Sequence, residues 1–291
     1  MRAGRGVLST CPRCVDRKGP RIPIEQVNGT PLAYEDAGEG DAIVIVHGSW
    51  TRRQAWRGVV ERLSATFRVV SYDRRGHGES AGQPDAGTVH DDVGDLVGLI
   101  ELLDLAPTHL LASSYGACVA LRLAGQRPDL VRKLVAHEPP AYRLLEADPG
   151  TRSVAEHEQR KLSEVRQRLE RGDHAGGAEY FVEHVALGPG GWTGLPPPVQ
   201  EAFVRNAPTF LGELQDPDAL DLDVSALQRF SAPVLLTQGD HSPAVFAPIL
   251  DVLEGVLPSA RRLTLAGAGH VPHLSHADEY SAIVSEFFLQ T

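Results

Sequence analysis

Sulfur is scarce in this chain: 291 residues include three cysteines and one methionine. An odd, sparse cysteine count argues against a disulfide framework and points to a reducing compartment. Cys11 and Cys14 form a CxxC, but a structural zinc needs four ligands, and no second CxxC or nearby histidine pair completes the set. A redox CxxC opens a helix after a strand, whereas this one precedes any periodic segment. Cys118 falls in a helix expected to be buried, where cysteine acts as a small apolar residue. Long apolar runs are missing too. With no stretch of about 18 such residues, no membrane span is expected. The charged N-terminus is not followed by the apolar segment of a secretory signal, so a cytoplasmic location is the expectation. Positive charge is in deficit as well. A net charge of −10 leaves no global basic field for nucleic acid. The exception is residues 1–21, where Arg2, Arg5, Arg13, Arg17, Lys18 and Arg21 face one acid, Asp16. That segment reads as a solvated, unstructured tail.

Apolar residues make up 42% of the chain, enough for a sizeable core. Residues 22–35 hold two short apolar runs around Asn28-Gly29, a dipeptide suited to the φ > 0 turn of a two-residue hairpin. Residues 42–46 (AIVIV) suit a strand covered on both faces. Strands and helices then alternate. The spacing predicts helices over 54–66, 88–103 and 115–126, and strands over 67–72, 109–112 and 131–136. Thr88, with Asp91 three residues on, predicts a capped helix start. Pro139-Pro140 then stops regular structure. Residues 142–227 are acidic, have no strand signal and read as an all-helical insertion, with a Gly/Pro-rich loop over 187–198. The rhythm returns with strands over 233–238 and 262–265 and helices over 243–257 and 277–289. The predicted fold is α/β, a doubly wound, mostly parallel sheet with a helical insertion. Its parts are a tail (1–21), a core in two pieces (22–141 and 228–291) and the insertion (142–227).

In such sheets the site lies beyond the carboxyl ends of the strands. Those ends carry His47-Gly48-Ser49, Asp73 to Ser80, Ser113-Ser114, His137-Glu138, Gly239 to Ser242 and Gly269-His270. A nucleophilic serine on a sharp strand-to-helix turn needs small neighbours two residues to either side. Ser114 has Ala112 and Gly116 there; Ser113 would have Leu111 and Tyr115. Ser114 is therefore the expected nucleophile, although Ala112 departs from the strict G-x-S-x-G pattern. The backbone N–H groups of Tyr115 and Ser49 are the expected oxyanion hole. His270, presented by Gly267-Ala268-Gly269, is the expected general base. His273 and His276 lie further along that loop and read as surface or supporting residues. No histidine pair sits with Asp or Glu at metal-ligand spacing, so neither a metal nor a cofactor is expected.

HGSW, YDRRGHGES, ASSYG and GAGH, in this order and spacing, resemble the α/β-hydrolase superfamily. The resemblance runs from about Ile22 to Thr291, and 142–227 then matches the helical cap. A serine nucleophile sets the chain apart from family members with aspartate there, the epoxide hydrolases and haloalkane dehalogenases. The resemblance implies a triad acid a few residues after the strand ending at Gly239, yet that position is Ser242 and Asp240 comes early. A subset of the superfamily takes the acid from the strand after the nucleophile helix, which here gives Glu138. Glu138 is preferred over Asp240 because its longer side chain, fixed by two prolines, can reach back under the histidine loop. The expectation is a serine hydrolase of a small or medium ester or lactone, with Trp192, Phe203 and Phe210 as candidate pocket walls. Carbon–carbon hydrolysis, cofactor-free perhydrolysis and a non-catalytic binding protein are the alternatives on the same fold. The expected partner is a small molecule, without nucleic acid or membrane.

Overall fold

The structure, a computed structural model, describes residues 22–81 and 87–290. The basic tail, with Cys11 and Cys14, lies outside the described residues. Eight strands form one sheet: β1 (Ile24–Val27), β2 (Thr30–Ala37), β3 (Ala42–Val46), β4 (Arg68–Tyr72), β5 (Thr108–Ser113), β6 (Val131–His137), β7 (Val234–Gly239) and β8 (Ala260–Leu265). Their order is β1-β2-β4-β3-β5-β6-β7-β8, antiparallel at the β1-β2-β4 end and parallel from β4 to β8. The sheet is thus doubly wound about β3 and mostly parallel. Asn28 (φ 49°) and Gly29 (φ 76°) both take the left-handed conformation that a type I′ hairpin requires.

The helices beside the sheet are α1 (Arg57–Leu63), α2 (Val89–Leu102) and α3 (Tyr115–Gln126). The period-2 alternation of side chains divides each central strand between two cores. Val44, Val46, Leu110 and Ala112 pack with α2 and α3. Ile43, Ile45, Leu111 and Val135 pack with Trp56 and α1 on the opposite face. Thr88 and Asp91 form a reciprocal capping box at the start of α2.

Between β6 and β7 come α4 (Pro149–Glu170), α5 (His174–Phe181), α6 (Gly191–Gly194), α7 (Pro197–Gln215) and α8 (Val224–Arg229). No strand interrupts them. Helices α4, α5 and α7 share a small core of their own built on Val165, Leu169, Ala178, Ala207 and Phe210. Trp50, from the loop after β3, inserts into it. Helix α8 returns to the sheet, where Leu227 joins the core under α3. Part of the expected 187–198 loop is helical, because the Glu183 carboxylate accepts from Gly190 N–H and Trp192 N–H, both at 2.6 Å, and so caps α6. The chain closes with α9 (Phe246–Val256), α10 (Pro272–Ser275) and α11 (Ala277–Leu289). Among the described residues no helix is long and apolar enough to cross a membrane.

Candidate active site

Ser114 stands between β5 and α3 at φ 55°, ψ −130°. A non-glycine residue in that region costs roughly 1–3 kcal/mol and persists only where its surroundings fix it. Its N–H donates to the His137 carbonyl at 2.8 Å, tying the turn to β6. The close packing explains two glycines. A Cβ on Gly116 would lie 2.4 Å from the Val46 carbonyl oxygen, and one on Gly48 would lie 2.9 Å from Ser114 Cβ. Only glycine lets the loop after β3 and the serine turn approach this closely.

Glu138 follows β6 and is fully buried. Its Oε1 accepts from Gly239 N–H at 2.8 Å, and its Oε2 lies 2.6 Å from His270 Nδ1. Burial works against ionisation of Glu138. Hydrogen bonding to His270 and the charges of His137 and His270, with help from the nearby Ser242 hydroxyl, outweigh it and hold the carboxyl below its ordinary value. An ionised carboxylate only accepts, so Nδ1–H of His270 donates and Nε2 is left with a free lone pair. The ring is held from one face by Phe246, stacked at 4.7 Å. His270 is thus brought against Glu138 and not against Asp240. The Asp240 carboxylate is exposed at the loop base, where it accepts from Gly267 N–H at 2.7 Å.

Other histidines gather around this pair in structural roles. His137 Nδ1 is joined to Thr237 Oγ1 at 3.0 Å, and burial lowers its pKa to about 4. His273, expected as a surface or supporting residue, is buried. It stacks on Trp56 at 4.3 Å, and burial lowers its pKa to about 3. His47 shows its tautomer directly: Arg74 N–H donates to Nε2 at 2.9 Å, so Nδ1 carries the proton given to the Gly48 carbonyl. That internal bond stiffens the loop carrying Ser49.

Ser49 N–H and Tyr115 N–H have no hydrogen-bond acceptor among the described residues. Tyr115 is the first residue of α3, so its N–H belongs to the unpaired positive end of that helix. Sequence reasoning missed what lies behind Ser49. Its hydroxyl donates at 2.5 Å to Glu213 Oε2, and Arg74 Nη2 donates at 2.5 Å to Glu213 Oε1. Arg74 also pairs with buried Asp92 at 2.8 Å and lies over the Tyr115 ring at 4.5 Å. Burial pushes the Asp92 carboxyl up to about 7.

Ser49, Ser114, Tyr115, Glu213 and His270 line one cleft, with an otherwise mostly apolar wall that includes Leu162, Phe181 and Phe246. It encloses about 510 Å³ of empty space including its mouth. Of the three expected wall residues, Phe210 lines it, whereas Phe203 stacks on Trp50 at 5.5 Å and Trp192 packs against Phe203. Neither lines the cleft: both pack with Trp50 in the core of the helical layer, behind Phe181 and Phe210. No hydrogen bond joins Ser114 to His270 among the described residues. Such bonds often tighten only when substrate arrives.

His137, Glu138 and His270 also offer three atoms within 4.8 Å of one another, as metal ligands would. At 2.6 Å, however, the Glu138–His270 contact has the length of a charge-assisted hydrogen bond. Two ligands each about 2.0–2.2 Å from one tetrahedral metal stand roughly 3.3 Å or more apart. The arrangement fits a shared proton.

The profile of the Alpha/beta hydrolase family matches residues 43–283. The (E)-2-((N-methylformamido)methylene)succinate hydrolase of Acinetobacter baylyi is 31% identical over 111 residues, covering 38% of this chain. The chain spans 42% of that relative's length. The pimeloyl-[acyl-carrier protein] methyl ester esterase of Aeromonas hydrophila is 27% identical over 261 residues, 88% of this chain and 98% of that protein. Among solved structures, the enol-lactonase from Burkholderia xenovorans LB400 superposes with a TM-score of 0.67 at 24% identity, over 92% of this chain and all of that one. The strand order, the strained serine turn after β5 and a family match of this extent lead to one conclusion: the chain belongs to the alpha/beta hydrolase family.

Proposed function

We propose that this enzyme is a serine hydrolase that cleaves a small or medium carboxylic ester or lactone. Ser114 is the nucleophile, His270 the general base and Glu138 the acid that orients it, with Ser49 and Tyr115 N–H as oxyanion donors. The observation that carries the reading is the buried Glu138 carboxylate, 2.6 Å from His270 Nδ1, beside a cleft that Ser114 also lines. With Nδ1–H committed to Glu138, His270 Nε2 takes the Ser114 proton as Oγ bonds to the substrate carbonyl carbon. The carbonyl pair moves onto oxygen and meets the two N–H donors. Collapse expels the alcohol, which receives the proton from Nε2. Water activated by the same ring then releases the acid from the acyl-enzyme.

The apolar wall favours an acyl chain over a charged group. Similarity to a methyl ester esterase across nearly the full length of both proteins supports an ester. The helices over 142–227 act as the cap that shapes the slot. The test is hydrolysis of a chain-length series of p-nitrophenyl esters and simple lactones, with fluorophosphonate labelling alongside. Turnover and labelling both present in the wild type and both lost in Ser114→Ala are expected. A wild type that neither turns over nor labels would favour a binding protein and sink the proposal.

A further inference from the structure

Helix α7 does not merely lie over the site. Asn206, Thr209, Glu213 and Asp216 recur at helical spacing, so they share one face. That face is polar, and it meets the core. Asn206 Nδ2 donates to the Trp50 carbonyl at 2.8 Å, Thr209 Oγ1 donates to the Gly76 carbonyl at 3.2 Å, and Asp216 accepts from Val89 N–H at 2.7 Å. These three reach main chain and anchor the helix. Glu213 differs, because its two oxygens take two side-chain donors, Ser49 Oγ and Arg74 Nη2. It is buried, and among the described residues it is the one carboxylate lining the cleft.

A carboxylate is an awkward neighbour for a developing oxyanion, since its charge opposes the one the transition state acquires. Arg74 answers part of that charge but is shared with Asp92. The carboxylate needs another purpose at this place. Ser49 supplies one: its N–H points the oxyanion hole, and its hydroxyl is held by Glu213. Of the loop's other restraints, the His47 ring and Gly48 act before Ser49 in the chain, and Asn206 holds the Trp50 carbonyl after it. Glu213 is the restraint on Ser49 itself, and it comes from the helical layer.

We propose that Glu213 is a positioning residue that couples the seating of the helical layer to the oxyanion hole. When α7 is docked, its carboxylate fixes Ser49 so that the amide faces the carbonyl oxygen bound at Ser114. When α7 lifts, the same loop loses its outer restraint and the hole relaxes. The layer then switches catalysis as well as shaping the slot. This rests on the reading of Ser49 N–H as an oxyanion donor in a serine hydrolase.

The test uses Ser49→Ala, Glu213→Gln and the double variant, measured on p-nitrophenyl butyrate and on an alkyl trifluoromethyl ketone that forms an oxyanion adduct on Ser114. Ser49→Ala keeps the amide and every tie of Glu213 to Arg74, so it tests the latch with little risk to folding. In Glu213→Gln the carboxamide oxygen faces Arg74 and the NH₂ donates to Ser49 Oγ, so the short charge-assisted bond that fixes Ser49 is replaced by a longer and weaker neutral one. Each single change is expected to lower kcat about tenfold or more with KM within about twofold, and to weaken the ketone in proportion. That pattern marks an interaction made mainly in the transition state. The double variant is expected to match the worse single variant rather than the product of the two. The proposal is overturned if kcat stays within twofold in Ser49→Ala, if the two losses multiply, or if Glu213→Gln changes only melting temperature and KM. Fluorophosphonate labelling of the wild type and Ser114→Ala in the same series separates these outcomes from failure of the hydrolase reading, in which the wild type itself would be inert.

Discussion

Replacing Glu138 with glutamine tests the acid assignment through one hydrogen atom. In the native site Oε1 accepts from Gly239 N–H at 2.8 Å, and Oε2 accepts from His270 Nδ1 at 2.6 Å. A carboxamide has one oxygen and one NH₂. The Gly239 N–H is fixed at the end of β7 and can only donate, so the oxygen turns toward it and the NH₂ faces His270. The ring nitrogen there must then accept, which moves the imidazole proton to Nε2, the position that has to receive the Ser114 proton. The wrong tautomer costs about 10⁴-fold in kcat, or about 5.4 kcal/mol of transition-state stabilisation. Asp240→Asn makes the matched control. Its oxygen still accepts from Gly267 N–H, so kcat stays within about threefold. The assay is steady-state turnover of one activated ester at pH 8, after circular dichroism has shown both variants folded. The assignment fails if Glu138→Gln keeps more than about a tenth of wild-type kcat, or if Asp240→Asn is the variant that loses it.

Gly48→Ala would place a Cβ 2.9 Å from Ser114 Cβ and 3.1 Å from the Ser113 carbonyl, so a loss of at least about 100-fold in kcat is expected with only a modest drop in melting temperature. Buried histidines make folding acid-sensitive. The folded pKa of His273 is about 3 against 6.5 unfolded, so the unfolded chain takes up the proton first. The stability is intact above about pH 6.5 and falls as pH drops toward the folded value, by about 2 kcal/mol at pH 5. His273→Phe keeps a ring on Trp56 and should remove about that much of the difference between urea titrations at pH 7.5 and pH 5. An unchanged difference would mean the ring is already charged. Ser242→Asp, placed in the Glu138→Gln background, should restore at least about tenfold in kcat, because residue 242 follows Gly239, whose N–H holds the Glu138 carboxylate, by three residues. In the otherwise native chain the same change should shift the acid limb of kcat to higher pH, since a second carboxylate raises the pKa of the first. No rescue and no shift would show that residue 242 points elsewhere.

The legible parts of this protein are those decided by a few neighbouring residues. Asn28-Gly29 announces its hairpin because two consecutive positive φ angles select that pair. Ser114 can be told from Ser113 because the turn's steric demand falls on residues 112 and 116. Glu138 ranks above Asp240 on reach, and it is the carboxylate that meets His270. Glu213 was invisible for a physical reason: its partner Ser49 is 164 residues away. A polar stripe on an amphipathic helix reads as a solvated face, and nothing local distinguishes that from a face docked on main-chain carbonyls. The sequence leaves His273 between a surface and a supporting role for a similar reason. It follows the His270 loop, but its stack on Trp56 depends on the distant start of α1. Trp192 and Phe203 suggested pocket walls by type, but they pack with Trp50 inside the helical layer, and Phe181 and Phe210 form the wall.

Three adjacent strands, β3, β5 and β6, are each followed closely by a non-glycine residue at positive φ: Trp50 (62°), Ser114 (55°) and Glu138 (45°). Each is held by a bond to a different element: Trp50 O by Asn206 of α7, Ser114 N–H by the His137 carbonyl, and Glu138 N–H by the Thr237 carbonyl. The strain is therefore supported by tertiary structure and points all three residues over the same edge. This also accounts for His270 meeting a carboxylate from β6 rather than one from the end of β7. The carboxylate's place is set by a donor on the main chain, Gly239 N–H at the end of β7, opposite His270. A short acid just after β7 and a longer one just after β6 can reach that place from opposite sides. With serine at 242, the longer side chain from β6 fills it, and its positive φ is the conformational cost of turning back across the strand end.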